Sequence, residues 1–308
     1  MPTIIITAPV HDYLITTLQG KGYHCVYEPN IDYTQLYNLI PQAHGLVVTT
    51  RITVDAAMLQ AATQLQWIGR LGSGMELVDV AYAQAHNIQC ISTPEGNCNA
   101  VAEHVIGMLL NLTHNISKSN LELRAGEWNR MPNMGTEIKE KTIGIIGYGN
   151  TGGAVAKLLH SFGVQVIAYD KYKHNYTSKY VTECSLAYLQ NEADIITLHV
   201  PLTSETKHLI NDSFVQQLIH KPILINASRG QVVHTPALIN ALAQGKLSGA
   251  ALDVLENEKL HTYTATEQAQ LNWLLAQPNV LITPHIAGYS HQGFKGMAVV
   301  LLQKLGLI

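Results

Sequence analysis

Charge is scarce in this chain. Only 13% of its 308 residues are charged and the formal net charge is −3. It therefore lacks the basic excess that a nucleic-acid-binding surface requires. It also lacks any apolar run of about 18 residues, so no membrane-spanning helix is expected. The N-terminus, Pro2-Thr3-Ile4-Ile5-Ile6-Thr7, has no positively charged leader and reads as a first strand rather than a signal peptide. Cysteine is sparse: Cys25, Cys90, Cys98 and Cys184 show no CxxC spacing and read as reduced, buried thiols of a cytoplasmic protein. Internal repeats and low-complexity stretches are absent. What is present is a hydrophobic fraction of 47%. That is enough for sizeable cores in a chain with room for roughly two domains.

Runs rich in Ile and Val alternate with helical stretches throughout, the pattern of parallel sheets covered on both faces. The first half predicts strands at Thr3–Thr7, His24–Glu28, Gly45–Thr49, Trp67–Leu71 and Ile88–Ser92. Helices are expected near Tyr13–Gly20, Tyr33–Ile40 and Ala56–Ala62. Thr93-Pro94-Glu95-Gly96-Asn97 reads as a linker. Ala100 to about Arg124 reads as one long helix, with Val101, Val105, Met108, Leu109 and Leu112 at helical spacing. A polar, irregular segment follows to Glu140. A second unit opens with a strand at Lys141–Gly147. It continues through Val164–Tyr169, Asp194–Val200, Ile223–Asn226, Ala250–Asp253 and Val280–Thr283, and a last helix is expected near Gly293–Leu305.

Gly147-Tyr148-Gly149-Asn150-Thr151-Gly152 follows the second unit's first strand directly and precedes a helical pattern running to Phe162. Between a strand and a helix, GxGxxG is a dinucleotide fingerprint. The first Gly makes the tight turn, the second admits a pyrophosphate and the third lets helix and strand pack closely. Asp170 ends the next strand, about 18 residues on, where an acid accepts both ribose hydroxyls and repels a 2′-phosphate. NAD is thus expected rather than NADP. Capping of a turn is the alternative role for Asp170, and Lys171 and Lys173 are near enough to soften the preference.

Three later motifs each hold one chemically apt residue: Asn226-Ala227-Ser228-Arg229-Gly230, Ala251 to Glu258, and Thr283-Pro284-His285-Ile286-Ala287-Gly288. A cation, a carboxylate and a histidine suit hydride transfer to an anionic substrate. Arg229 grips the carboxylate in a bidentate fork. His285 moves the proton, since an imidazole titrates near neutrality. Glu258 fixes the imidazole tautomer, with Glu256 as its rival. A structural ion pair is the alternative for Arg229, and a packed or surface role the alternative for His285.

These motifs resemble the D-isomer-specific 2-hydroxyacid dehydrogenase family over nearly the whole chain. The resemblance implies two doubly wound α/β domains with a cleft between them: a Rossmann NAD-binding domain over residues 99–288, and a flavodoxin-like substrate domain over residues 1–98 plus 289–308. It implies cofactor contacts from Gly147, Gly149, Asn150, Thr151, Gly152, Asp170, His199, Pro201, Ala227, Ser228, Asp253 and Gly288, and no metal. Here Asn150-Thr151 replace the family's frequent Arg-Ile, Ala100 a frequent Ser or Thr, and Lys259 the usual proline after Glu258. Glu103 and His104 read as helix-structural, and His199 as a packed strand-end histidine rather than an acid or base. The Gly72-Ser73-Gly74 turn is expected to bind the substrate carboxylate through backbone N–H groups.

The reaction implied is NAD-dependent hydride transfer at C2 of a D-2-hydroxy acid. Arg51 stands where phosphoglycerate dehydrogenases carry an Arg-rich loop. It reads either as a ligand for a distal phosphate, supported by Arg70 or by a residue from the partner subunit, or as a solvated charge. 3-Phosphoglycerate, glyoxylate or hydroxypyruvate, and D-lactate all remain open as substrates. With the chain ending at Ile308 soon after its last helix, no serine-binding regulatory domain is expected. A homodimer is expected through the long helix and the segment after it. The family also resembles NAD-sensing corepressors, which makes a partner-binding protein the alternative from another class.

Overall fold

The computed structural model describes all 308 residues. They divide into two compact units, Met1–Ala100 with Gly288–Ile308, and Val101–Ala287. No helix is long and apolar enough to cross a membrane.

The first unit holds β1 (Thr3–Ile6), β2 (His24–Tyr27), β3 (Ala43–Val48), β4 (Trp67–Arg70) and β5 (Gln89–Ser92). Its helices are α1 (Asp12–Gly20), α2 (Tyr33–Leu39), α3 (Ala56–Ala61) and α4 (Val80–Ala85). The strands run parallel in the order 2-1-3-4-5, the flavodoxin-like winding. Ile4, Ile5 and Ile6 are all fully buried, which is why β1 reads as an unbroken apolar run. Asp32, Asp55 and Asp79 each accept a backbone N–H three residues on, so local capping starts α2, α3 and α4.

The second unit opens with α5 (Cys98–Thr113), whose first three residues belong to the first unit, and α6 (Ile116–Arg124). Then come β6 (Thr142–Ile146), α7 (Asn150–Leu159), β7 (Gln165–Tyr169), β8 (Thr182–Glu183), α8 (Leu186–Glu192), β9 (Ile195–Leu198) and α9 (Asp212–Gln216). β10 (Ile223–Asn226), α10 (Thr235–Ala243), β11 (Gly249–Leu252), α11 (Ala265–Leu275) and β12 (Val280–Ile282) complete it. Its seven-stranded parallel sheet runs β12-β11-β10-β9-β6-β7-β8, a Rossmann order whose direction of winding reverses between β6 and β9. The last helix, α12 (His291–Lys304), packs in the first unit. There Ala298, Leu301 and Leu302 are buried with Ile4, Ile6 and Trp67, and Lys304 Nζ pairs with Glu95 at 2.9 Å.

The structure corrects several expectations. The single helix from Ala100 to Arg124 is two. Asn115 takes a left-handed backbone (φ 54°), which Asn tolerates better than most residues. The Thr113 carbonyl is taken by the Thr136 N–H, and Asn111 Oδ1 accepts the Ser117 N–H at the start of α6. α4 and the two-residue β8 had not been placed. The four cysteines are half-buried rather than buried.

Candidate active site

The carboxyl ends of the second unit's strands carry the residues of interest in chain order. After β6 comes the glycine loop, after β7 Asp170, after β9 His199 and Pro201, after β10 Arg229, after β11 Asp253 and Glu258, and after β12 His285. In a doubly wound sheet this edge, at the winding reversal, is where a ligand crevice forms.

The glycine loop fits a dinucleotide. Gly147 is left-handed (φ 96°), and a Cβ there would lie 2.5 Å from the His199 carbonyl oxygen. A Cβ on Gly152 would lie 2.2 Å from the Gly147 carbonyl oxygen, whereas one on Gly149 would meet nothing within 4 Å. The first and third glycines are thus packing requirements, and the second faces open space. Gly149 caps α7 with no side-chain hydrogen bond, so no protein side chain claims that helix's first-turn N–H groups.

Asp170 is more occupied than its spacing implied. Its Oδ2 accepts from Tyr148 N (2.8 Å), and its Oδ1 from Tyr172 N (2.9 Å) and Lys173 N (3.0 Å). The turn-capping role is realised. Of the roughly four lone-pair sites on a carboxylate, three are used. Lys171 is paired with Glu205 at 2.6 Å, which offsets its charge.

His199 donates nothing to solvent. Its Nε2 meets Thr197 Oγ1 at 2.9 Å, and its Nδ1 is buried without a partner. Burial pushes the ring down to about 4, so it is neutral across the physiological range. The backbone carbonyl of His199 abuts the glycine loop at Gly147.

His285 Nδ1 lies 2.8 Å from Glu258 Oε2. A carboxylate only accepts, so Nδ1 carries the hydrogen and Nε2 is left to exchange a proton. Glu256, the rival, is engaged elsewhere: Oε1 meets His208 Nε2 and Oε2 accepts from Thr235 N, both at 2.6 Å. His285 itself has a left-handed backbone (φ 55°), costly for a non-glycine residue unless its surroundings enforce it. The enforcer is Asp253, which is 1% exposed. It accepts from Thr283 Oγ1 (2.5 Å), Ile286 N (2.9 Å) and Ala287 N (2.8 Å), and its own carbonyl takes the His285 N–H at 2.7 Å. Burial alone would raise the Asp253 carboxyl. Hydrogen bonds from His104, Thr283, Ala287 and Ile286 outweigh it and hold the group below its ordinary value.

The resemblance implies Asp253 as a cofactor contact. Its side chain is occupied by the turn that presents His285. His104 joins it from α5, 3.0 Å from Thr283 Oγ1 and 3.5 Å from Asp253. Arg229 follows a turn built by buried Asn226, whose Oδ1 accepts from Ser228 N and Oγ and whose Nδ2 donates to the Arg229 carbonyl. The Arg229 Nη1 donates to the Ser228 carbonyl at 2.7 Å. The supporting role of Asn226 was missed, although its place at a strand end was a signal. Lys259, where proline is usual, donates its N–H to Asn257 Oδ1 at 3.0 Å, a bond proline cannot make.

In the first unit, the Gly72 N–H is taken by Thr93 Oγ1 at 2.9 Å. Arg70 is 8% exposed and donates to the Leu71 carbonyl at 2.6 Å beneath Gly72, where a Cβ would strike its guanidinium. Arg51 is exposed and donates one Nη to the Ile31 carbonyl at 2.8 Å. Gly288 begins the chain's return into the first unit.

A Rossmann sheet with an open glycine loop, and a carboxylate-bound histidine at its carboxyl edge, define a dinucleotide-dependent oxidoreductase. Comparison with known proteins narrows the class. Residues 106–287 match the family model described as D-isomer specific 2-hydroxyacid dehydrogenase, NAD binding domain. A hydroxypyruvate reductase from Thermotoga maritima is 33% identical over 300 residues, covering 97% of this chain and 96% of that protein. A D-3-phosphoglycerate dehydrogenase from Haemophilus influenzae is 35% identical over 286 residues, 91% of this chain and 68% of that one. Of three further phosphoglycerate dehydrogenases the chain spans only 48% to 57%. The structure of D-lactate dehydrogenase from Aquifex aeolicus, complexed with NAD and lactic acid, superposes with a TM-score of 0.86 at 27% identity, covering 99% of this chain and 94% of that one. The chain belongs to the D-isomer-specific 2-hydroxyacid dehydrogenase family, oxidoreductases that use NAD(H) to interconvert D-2-hydroxy acids and 2-oxo acids.

Proposed function

We propose that this chain reduces a small 2-oxo acid of the hydroxypyruvate or glyoxylate kind, preferring NADH to NADPH, with His285 as proton donor. The observation that carries this reading is the Glu258–His285 pair, set at the edge of the sheet that also bears the dinucleotide loop. Gly147, Gly149 and Gly152, with the first turn of α7 behind Asn150 and Thr151, hold the pyrophosphate, and Asp170 meets the ribose. The backbones at His199, Pro201, Ala227 and Ser228 line the same edge of the sheet. Once bound, the nicotinamide supplies or accepts the hydride at C2. All else falls to the chain. Arg229 holds the substrate carboxylate. His285 Nε2 gives a proton to the C2 oxygen in reduction and takes it back in oxidation, while Glu258 stabilises the imidazolium between the two.

A substrate without a distal phosphate is favoured because the candidate phosphate ligands are committed. Arg70 is folded under the Gly72 turn, and Arg51 spends part of its fork on Ile31. The hydroxypyruvate reductase also matches over nearly its full length. Turnover with NADH across glyoxylate, hydroxypyruvate, its 3-phosphorylated form and pyruvate tests this. The unphosphorylated acids should give the higher kcat/KM, and a clear preference for the phosphorylated one would reverse the assignment.

Asp170→Ala should weaken NADH binding and narrow the preference over NADPH, since it removes the charge facing a 2′-phosphate. It also frees Tyr148 N in the glycine loop. The kcat/KM ratio for the two cofactors reads the first effect, and an unchanged ratio would show that Asp170 does not discriminate.

The protein is further proposed to work as a homodimer. Ile116, Leu121, Leu123, Trp128, Met131 and Met134 are exposed along α6 and the segment after it, Trp128 to 77%. Apolar surface gathered in this way marks an association site, and Trp is a common anchor in one. Sedimentation at micromolar concentration should give twice the chain mass, and Trp128→Ser should shift it toward monomer. A monomeric wild type would refute the proposal.

A further inference from the structure

We propose that Glu256 is a positioning residue that fixes Arg229 and Glu258 relative to each other. The inference deepens the functional reading above and rests on it. Three loops meet at this carboxylate. The first runs from Arg229 to α10, where the Thr235 N–H donates to Glu256 Oε2 at 2.6 Å. The second is the loop before α9, where His208 Nε2 meets Glu256 Oε1 at 2.6 Å. The third is the Leu255–Glu258 loop itself. His208 stands in a left-handed conformation (φ 53°), and its N–H bonds the Gln231 carbonyl at 2.8 Å. Ile210 N reaches Val232 O at 3.0 Å and His234 N reaches Ile210 O at 2.9 Å, so the first two loops are laced together before Glu256 clasps both.

Gly230 supplies a second, independent sign of this joint. A Cβ there would lie 1.8 Å from the Leu255 carbonyl oxygen and 2.6 Å from Glu256 N. The turn after Arg229 therefore rests directly on the backbone that leads to Glu258. Arg229 is the residue before Gly230, and Glu258 is two beyond Glu256, so whatever secures this contact secures both. The far side of Glu258 is held as well. Asn257 Oδ1 accepts from Lys259 N, and its Nδ2 donates to Thr262 Oγ1 and Glu267 Oε1. Glu256 holds the one flank of the loop that joins it to Arg229.

A displacement of about 1 Å in a reacting group costs on the order of 100-fold in rate. Glu256→Ala should thus lower kcat/KM for the 2-oxo acid by about 10- to 100-fold. Two signatures go with it: a raised KM for the acid, through Arg229, and loss of reductase activity at lower pH than in the wild type, through Glu258. The Kd for NADH should hold, because the glycine loop is untouched. Glu256→Gln can still accept from Thr235 and donate to His208, and should restore most activity. In a Glu258→Gln background, Glu256→Ala should no longer move the pH profile but should still raise KM.

A merely structural Glu256 would lower Tm or the fraction of NADH-binding sites while leaving KM and the pH midpoint per active site unchanged, and that result would overturn the proposal. Should Glu256→Ala not fold, His208→Asn carries the same comparison. It keeps a residue tolerant of the left-handed backbone and removes one arm of the clasp, and unchanged KM and pH midpoint there would also overturn it. Failure of the functional reading is distinct: it would appear as no 2-oxo acid turnover in the wild type, or full turnover in His285→Gln.

Discussion

His285→Gln should lower kcat for the 2-oxo acid by about 10²–10⁴-fold, equivalent to roughly 3–5 kcal/mol of barrier, with NADH affinity retained. Glutamine keeps a polar group of similar reach but cannot deliver a proton to the C2 oxygen. In the proposed site the nucleotide is held by the glycine loop and Asp170, and neither hydrogen-bonds His285. Titration of NADH by fluorescence, alongside steady-state kinetics, separates the two effects. Turnover near that of the wild type would remove His285 from its role, and Glu258 and Arg229 with it.

Arg229→Lys should chiefly raise the KM for the acid, by roughly 10- to 100-fold, with a smaller effect on kcat. A guanidinium meets a carboxylate with two parallel N–H bonds, whereas an ammonium offers a point charge on a more flexible stem. Arg229 suits the fork because Asn226 rigidifies the backbone beneath it, through bonds to Ser228 and to the Arg229 carbonyl. Initial rates across acid concentrations at saturating NADH measure the effect. A KM equal to that of the wild type would return Arg229 to a structural ion pair.

What could be read from the residues in advance was local. Ile4-Ile5-Ile6 and Ile143 to Ile146 announce strands buried on both faces, and the loop Gly147–Gly152 announces its turn, because each signal lies within a few consecutive residues. The features that escaped depend on partners distant in sequence. Asp253 serves Thr283, Ile286 and Ala287, about thirty residues on, and nothing near Asp253 in the chain points to them. The Gly72 N–H goes to Thr93, and Arg70 turns back on Leu71, so the glycine turn offers fewer free donors than its composition promises. The break at Asn115 was hidden for a related reason. Apolar spacing continues across it, and the competing bonds come from Thr136 and from the side chain of Asn111. The sequence already favours Glu258 over Glu256, and the structure shows Glu256 held by His208 and Thr235 while Glu258 meets His285.

The central claim is that this site moves a hydride to C2 of a 2-oxo acid. It is tested most directly by supplying the wild-type protein with NADH deuterated at C4 of the nicotinamide, in each stereoisomer, together with hydroxypyruvate or glyoxylate. The label in the product is then located by mass spectrometry and NMR. One of the two stereoisomers should place a single deuterium on C2, and with hydroxypyruvate the product should be the D-2-hydroxy acid, while His285→Gln slows the transfer without relocating the label. Binding of NADH with no deuterium at C2 from either stereoisomer, across the panel of acids, would contradict the account and leave a nucleotide-binding protein in place of an enzyme.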